Sequence, residues 1–226
     1  MATAALRRAV ADRCTRLRAR LGEGGIDALL VTHPVDVRYL SGFTGEDSWL
    51  VVGKGKGWVL TDSRFAEEVE RDCPDFASTV RRGSLAEALG KGVRRKRVGR
   101  LAYDPAHVSV ALLSRLRREL KGVRLLRLAD ATSNLRMRKD RLEVRAVRRA
   151  VRTAETAYRA FRERIQLGMT EQALAGELEY QMRQAGAEGP AFPTIVAVNA
   201  HAARPHAKPG RRKLKRGCVL LTDFGA

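Results

Sequence analysis

Aromatic residues supply only 5% of this 226-residue chain, so its core has to be built from Leu, Val and Ala. No stretch approaches the ~18 uninterrupted apolar residues of a membrane-spanning helix, and none is expected. There are three cysteines. Cys14, Cys73 and Cys218 are far apart with no C-x-x-C pair, which argues against a disulfide framework or a structural zinc site and suits a reducing cytoplasm. The amino terminus lacks the apolar stretch and small-residue cleavage site of a secretory signal. Acids are scarce as well: 25 Asp and Glu stand against 44 Lys and Arg, a net charge of +19.

That charge raises the question of nucleic acid. Basic clusters occur at 91–100, 136–152 and 204–216, but no aromatic residues are interleaved to stack on bases. Arg outnumbers Lys 35 to 9, and with abundant Ala this is the skew that a G- and C-rich coding sequence produces. A solvated basic surface is the expectation, and nucleic acid is not the expected partner.

Leu6, Val10, Cys14, Leu17 and Leu21 fall on one helical face over residues 5–22, and "GEGG" closes that helix. Apolar runs of strand length follow at 27–32, 48–52 and 57–61. Further strands are expected at 78–82, 97–104 and 123–129, with helices at 64–71, 84–92 and 108–120. Ser84 is the N-cap of the second of these. Strands alternating with helices over 1–134 predict an α/β domain with a largely buried sheet. The pattern then changes. A long helix begins at Leu142 with Val147, Val151, Ala154, Tyr158, Phe161 and Ile165 on one face, and Gly168 ends it. Thr170 caps a second helix that buries Leu174, Leu178, Met182 and Ala185. Residues 192–199 and 218–224 read as partner strands around a long Pro/Gly-bearing loop. Residues 135–226 therefore form a second domain.

Two groups of motifs now carry a resemblance. "DVRYLSGFTG" (36–45) and "LTDSRF" (60–65) resemble the amino-terminal domain of the creatinase, prolidase and aminopeptidase P family. "MRKDRLEVRAVRRAVRTAETAYRAF", "GMTEQALAGELEYQMRQAGAEGPAFPTIVAVN", "PHAKP" and "GCVLLTDFGA" resemble the opening half of that family's pita-bread metallopeptidase domain. The resemblance implies an α/β creatinase-like domain over 1–134, followed by the first half of an α+β pita-bread domain over 135–226. It implies a cytoplasmic hydrolase, a homodimer when full length, that cleaves Xaa-Pro bonds in proline-containing peptides. Two divalent ions, Mn, Co or Zn, would activate a bridging water and polarise the scissile carbonyl.

By the same resemblance, Asp223 is the first metal ligand, and His206 is the catalytic and substrate-binding histidine that stabilises the reacting carbonyl. Taken alone, an Asp before Phe-Gly is a good turn residue, and a His between Pro205 and Ala207 is an ordinary solvated side chain. His33 and His107 have no motif behind them and read as structural. Glu155, Glu163, Glu171, Glu177 and Glu179 are expected to face solvent or to suit helix capping. The family's second metal-binding Asp would fall at position 234, past Ala226, so the chain is expected to be a fragment that is inactive alone. Two departures concern the substrate loop: Asn199 and His201 stand where the family often has Gly and Asn, and Cys218 follows Gly217 where an acid is usual. The alternative is a non-catalytic pita-bread relative that binds a peptide or an acidic partner.

Overall fold

The computed structural model describes residues 3–226. The chain divides into two compact units, Met1–Leu142 and Glu143–Ala226.

In the first unit, α1 (Ala4–Glu23) starts where Thr3 accepts a hydrogen bond from the Leu6 N–H. It buries Val10, Cys14, Leu17 and Leu21, four of the five residues of the expected stripe, with Leu6 packed at their margin. Then come β1 (Ala28–Val31), α2 (Pro34–Ser41), β2 (Trp49–Gly53), β3 (Trp58–Thr61), α3 (Ala66–Asp72) and β4 (Ala77–Val80). After these come α4 (Leu85–Arg95), β5 (Arg100–Tyr103), α5 (Val110–Glu119), β6 (Arg124–Arg127) and the short α6 (Ser133–Met137). Ser84 and Glu87 close a reciprocal capping box at the start of α4.

The strands form one mixed sheet in the order β4-β3-β2-β1-β5-β6. β1 runs antiparallel to β2 and parallel to β5. Every residue of β1 is buried, because alternate side chains enter two different cores. Leu29 and Val31 join the core of α1, α2 and α3; Ala28 and Leu30 join that of α4 and α5. The sequence expectation of a buried α/β sheet is met.

The helix α2 was not anticipated within the "DVRYLSGFTG" motif. Its signals are local: Pro34 occupies the first helical turn, and Gly42 at φ 81° supplies the left-handed C-cap.

In the second unit, α7 (Arg141–Arg164) and α8 (Glu171–Gln184) precede β7 (Ile195–Val198), a 3₁₀ turn at Asn199–Ala203, and β8 (Leu220–Asp223). Thr170 caps α8 by accepting from the Ala173 N–H. β7 and β8 pair antiparallel, as the sequence suggested, with Val198 opposite Leu220 and Ile195 opposite Asp223. Ala157, Phe161, Leu174, Leu178, Met182, Val196, Val198 and Leu214 form the core. The expected stripe on α7 is buried only in its carboxyl-terminal half: Val147 is 57% exposed and Val151 50%.

Candidate functional site

Burial alternates along β8. Leu220 and Phe224 turn toward the core of the second unit, and the pleat sends Leu221 and Asp223 to the other face. Asp223 is exposed at the last position of the ribbon, opposite Ile195. Among the described residues its carboxylate has no hydrogen-bond or ion-pair partner, in a chain of net charge +19. Leu221, two residues earlier on the same face, is 38% exposed.

His206 is also exposed, in the loop from β7 to β8. The loop beside it is fixed: Ala207 is buried, and its N–H donates to the Arg204 carbonyl at 3.2 Å. Further along, Leu214 is buried and exchanges backbone hydrogen bonds with Gly168 and Met169, at 2.8 Å each. Among the described residues no hydrogen bond or ion pair joins His206 to Asp223.

What anchors this loop was not anticipated. Glu171, expected at a solvated or capping position, has no exposed surface at all. One carboxylate oxygen accepts from the Val198 N–H at 2.9 Å, at the end of β7. The other accepts from the Gly210 N–H at 3.0 Å, in the loop. His201 Nδ1 lies 2.8 and 2.9 Å from the two oxygens. A carboxylate only accepts, so this geometry fixes the tautomer with the proton on Nδ1. Burial pushes the Glu171 carboxyl upward, but hydrogen bonds from His201, Val198 and Gly210 outweigh it and hold the group below its usual range. The sequence placed Glu171 correctly at the first turn of α8. It could not show that a loop some thirty residues later folds back over that turn.

Asn199 serves the same loop from its other end. Its backbone sits at φ 50°, and its side-chain oxygen accepts from the Val219 N–H at 2.9 Å. Its own N–H donates to the Val219 carbonyl at 3.0 Å. Asn199 and His201 stand where the sequence departs from the family's loop pattern, and both are committed to holding the loop's shape.

The donors in this unit do not make a two-ion centre by themselves. Glu171 is consumed by hydrogen bonds, and among the described residues Asp223 and His206 belong to no cluster of three or more ligand-type side chains. Among the described residues, the one cluster of three or more His, Cys, Asp or Glu close enough to share an ion lies in the first unit.

The chain is thus an α/β unit with a six-stranded sheet, followed by two helices and a two-stranded ribbon. The chain belongs to the creatinase and prolidase family: residues 13–138 match the creatinase/prolidase N-terminal domain, and residues 145–226 match metallopeptidase family M24. It is 28% identical to the uncharacterized peptidase YqhT of Bacillus subtilis, over 93% of this chain and 60% of that protein. It is 25% identical to an Xaa-Pro dipeptidase of Pyrococcus furiosus, over 95% of this chain and 60% of that one. Among solved structures, an X-Pro aminopeptidase from Thermotoga maritima superposes with a TM-score of 0.87 at 32% identity, covering 95% of this chain and 60% of that one. An Xaa-Pro dipeptidase from Bacillus anthracis shares the fold with a TM-score of 0.90 at 24% identity, over 96% of this chain and 61% of that one. The chain thus spans about 60% of the length of the relatives it matches.

Proposed function

We propose that this chain is the amino-terminal part of a cytoplasmic, proline-specific metallopeptidase, an Xaa-Pro aminopeptidase or dipeptidase. In this reading Asp223 is the first ligand of a pair of divalent ions, Mn, Co or Zn, and His206 faces the scissile carbonyl of the substrate. The ions supply Lewis acidity and an activated water when bound. What this chain contributes is positional: Glu171 and His201 hold the loop that carries His206, and β7 holds Asp223 in register.

The observation that carries the reading is the unpaired carboxylate of Asp223, exposed at the end of β8 two residues from the exposed Leu221. The two family matches, in order along the chain, support it.

The test is the intact mass of the protein isolated from its own cells, with hydrolysis of Xaa-Pro peptides by that material in the presence of Mn²⁺. We expect a mass above 25.0 kDa, activity abolished by Asp223→Ala, and activity reduced roughly a hundredfold by His206→Ala. We expect the 226-residue chain to be inactive by itself. A longer, Mn²⁺-loaded protein that leaves Xaa-Pro peptides intact defeats the proposal. Turnover by the 226-residue chain alone defeats the claim that further ligands are needed.

A further inference from the structure

The two histidines without a sequence motif lie together in the first unit. His33 directly follows Thr32 after β1, and His107 ends the 3₁₀ turn after β5. β1 and β5 are parallel neighbours, with Leu30 beside Tyr103, so the two imidazoles leave the same end of the sheet. Their rings stack 4.1 Å apart with planes 8° from parallel, so their in-plane lone pairs run in parallel planes and one ring has to turn about its Cβ–Cγ bond before the two can share an ion. The Thr32 hydroxyl donates to the His107 carbonyl at 2.9 Å and ties the two segments together.

Asp36, in the first turn of α2, closes the cluster. Its Oδ2 lies 3.5 Å from His33 Nδ1 and 3.8 Å from His107 Nε2. Its Oδ1 is already taken, by Arg136 Nη1 at 2.9 Å. One oxygen is therefore fixed in place and the other is presented to both rings. His33 Nδ1 is buried and makes no hydrogen bond. A cavity of ≈ 10 Å³, lined by Thr32, His33, Asp36, Asp104, His107 and Thr132 among others, lies at this point. That is room for about one water-sized occupant.

We propose that His33, Asp36 and His107 bind one first-row divalent transition-metal ion, of the zinc, cobalt or nickel kind. Three arguments converge. The donor set, two imidazoles and a carboxylate, is one that such ions select. Bonds of ~2.1 Å in tetrahedral geometry place ligand atoms about 3.4 Å apart; the separations of 3.5 and 3.8 Å to Oδ2 approach this, and all three donor atoms lie within 4.8 Å of one another. Arg136 on the second carboxylate oxygen is the kind of outer partner that orients a ligating carboxylate.

The location is a fourth argument. α2, which follows β1, packs on one face of the sheet. α5, which follows β5, packs on the other. Adjacent parallel strands whose connections leave to opposite faces open a crevice beyond their carboxyl ends, where α/β sheets bind ligands. The local charge also favours a dication: Asp36 and Asp104 outweigh Arg136 by one negative charge among the groups that line the cavity or touch its ligands. Asp104 itself is held by the N–H groups of Ala106 and Asp130.

The experiment uses the 226-residue chain with His206→Ala and Asp223→Ala in the background, titrated with Co²⁺. We expect one equivalent to bind with a visible d–d band, and Zn²⁺ to displace it. With His206 replaced, three of the four histidines remain; the imidazole proton resonances of His33 and His107 should shift paramagnetically and that of His201 should not. Adding His107→Ala, a substitution at a half-exposed ring, should weaken Co²⁺ binding roughly tenfold or more with the far-ultraviolet circular dichroism unchanged. If that variant does not fold, the resonance shifts of the parent chain decide the matter. No Co²⁺ band at millimolar metal, or a band with the His33 and His107 resonances unmoved, overturns the proposal.

Discussion

Glu171 accepts hydrogen bonds from three donors in a place that water does not reach, so its removal strands all three at once. Glu171→Ala should lower the unfolding free energy by about 3 kcal/mol, read as a fall in the urea midpoint at constant slope. A change below about 0.5 kcal/mol would show that the loop does not depend on it. The pH dependence has a definite sign. The folded carboxyl is held below its ordinary value, which is about 4.3 in an unfolded chain. Its contribution is complete above that pH and disappears as pH falls through the folded value. Glu171→Gln should therefore flatten the acid limb of the stability profile and leave the shape above pH 6 unchanged. This residue also marks a limit of sequence reading. Thr170 announces the helix start through its hydroxyl, a local signal. The partners of Glu171 at Val198, His201 and Gly210 are set by tertiary folding, and no spacing rule reaches that far. Asp223 and His206 became candidates through whole motifs, since neither residue type is distinctive alone.

At the scale of elements, periodicity was informative wherever one side of an element meets the core. The stripe on α1 and that on α8 are buried nearly as the apolar spacing indicated. The α2 helix was hidden because its eight residues are too few for a stripe, and its proline and glycine caps carry the information instead. On α7 the stripe is continuous in sequence but divided in the structure. Ala157 and Phe161 are buried against α8 and the ribbon, while Val144, Val147 and Val151 are exposed. The two halves should respond differently to substitution. Phe161→Ala should cost about 4 kcal/mol. Val147→Glu with Val151→Glu should change stability by no more than about 1 kcal/mol in the 226-residue chain. Thermal unfolding of the two variants separates the cases, and a large loss in the valine pair would mean that the exposed stripe is covered in solution.

At the scale of the whole molecule, the two units differ in how their sheets are protected. In the first, β1 is hydrogen-bonded on both sides and covered on both faces, the condition in which backbone amides open only with the whole domain. In the second, β8 has one partner strand, and Leu221 on it and Val219 just before it are 38% and 66% exposed. A two-stranded ribbon is marginal without the helices it packs on, and a free apolar edge invites pairing with another chain. Native-state hydrogen exchange should therefore show the amides of 220–223 exchanging at a far lower free energy of opening than those of 28–31. The same reasoning predicts that Leu221→Lys, which charges the open face beside Asp223 without entering the core, raises the concentration at which the chain stays monomeric. Equal protection of the two strands, with aggregation unchanged by the lysine, would mean that the ribbon is already covered by a partner. The open face that the proposed function assigns to a metal site would then be closed in this form of the protein.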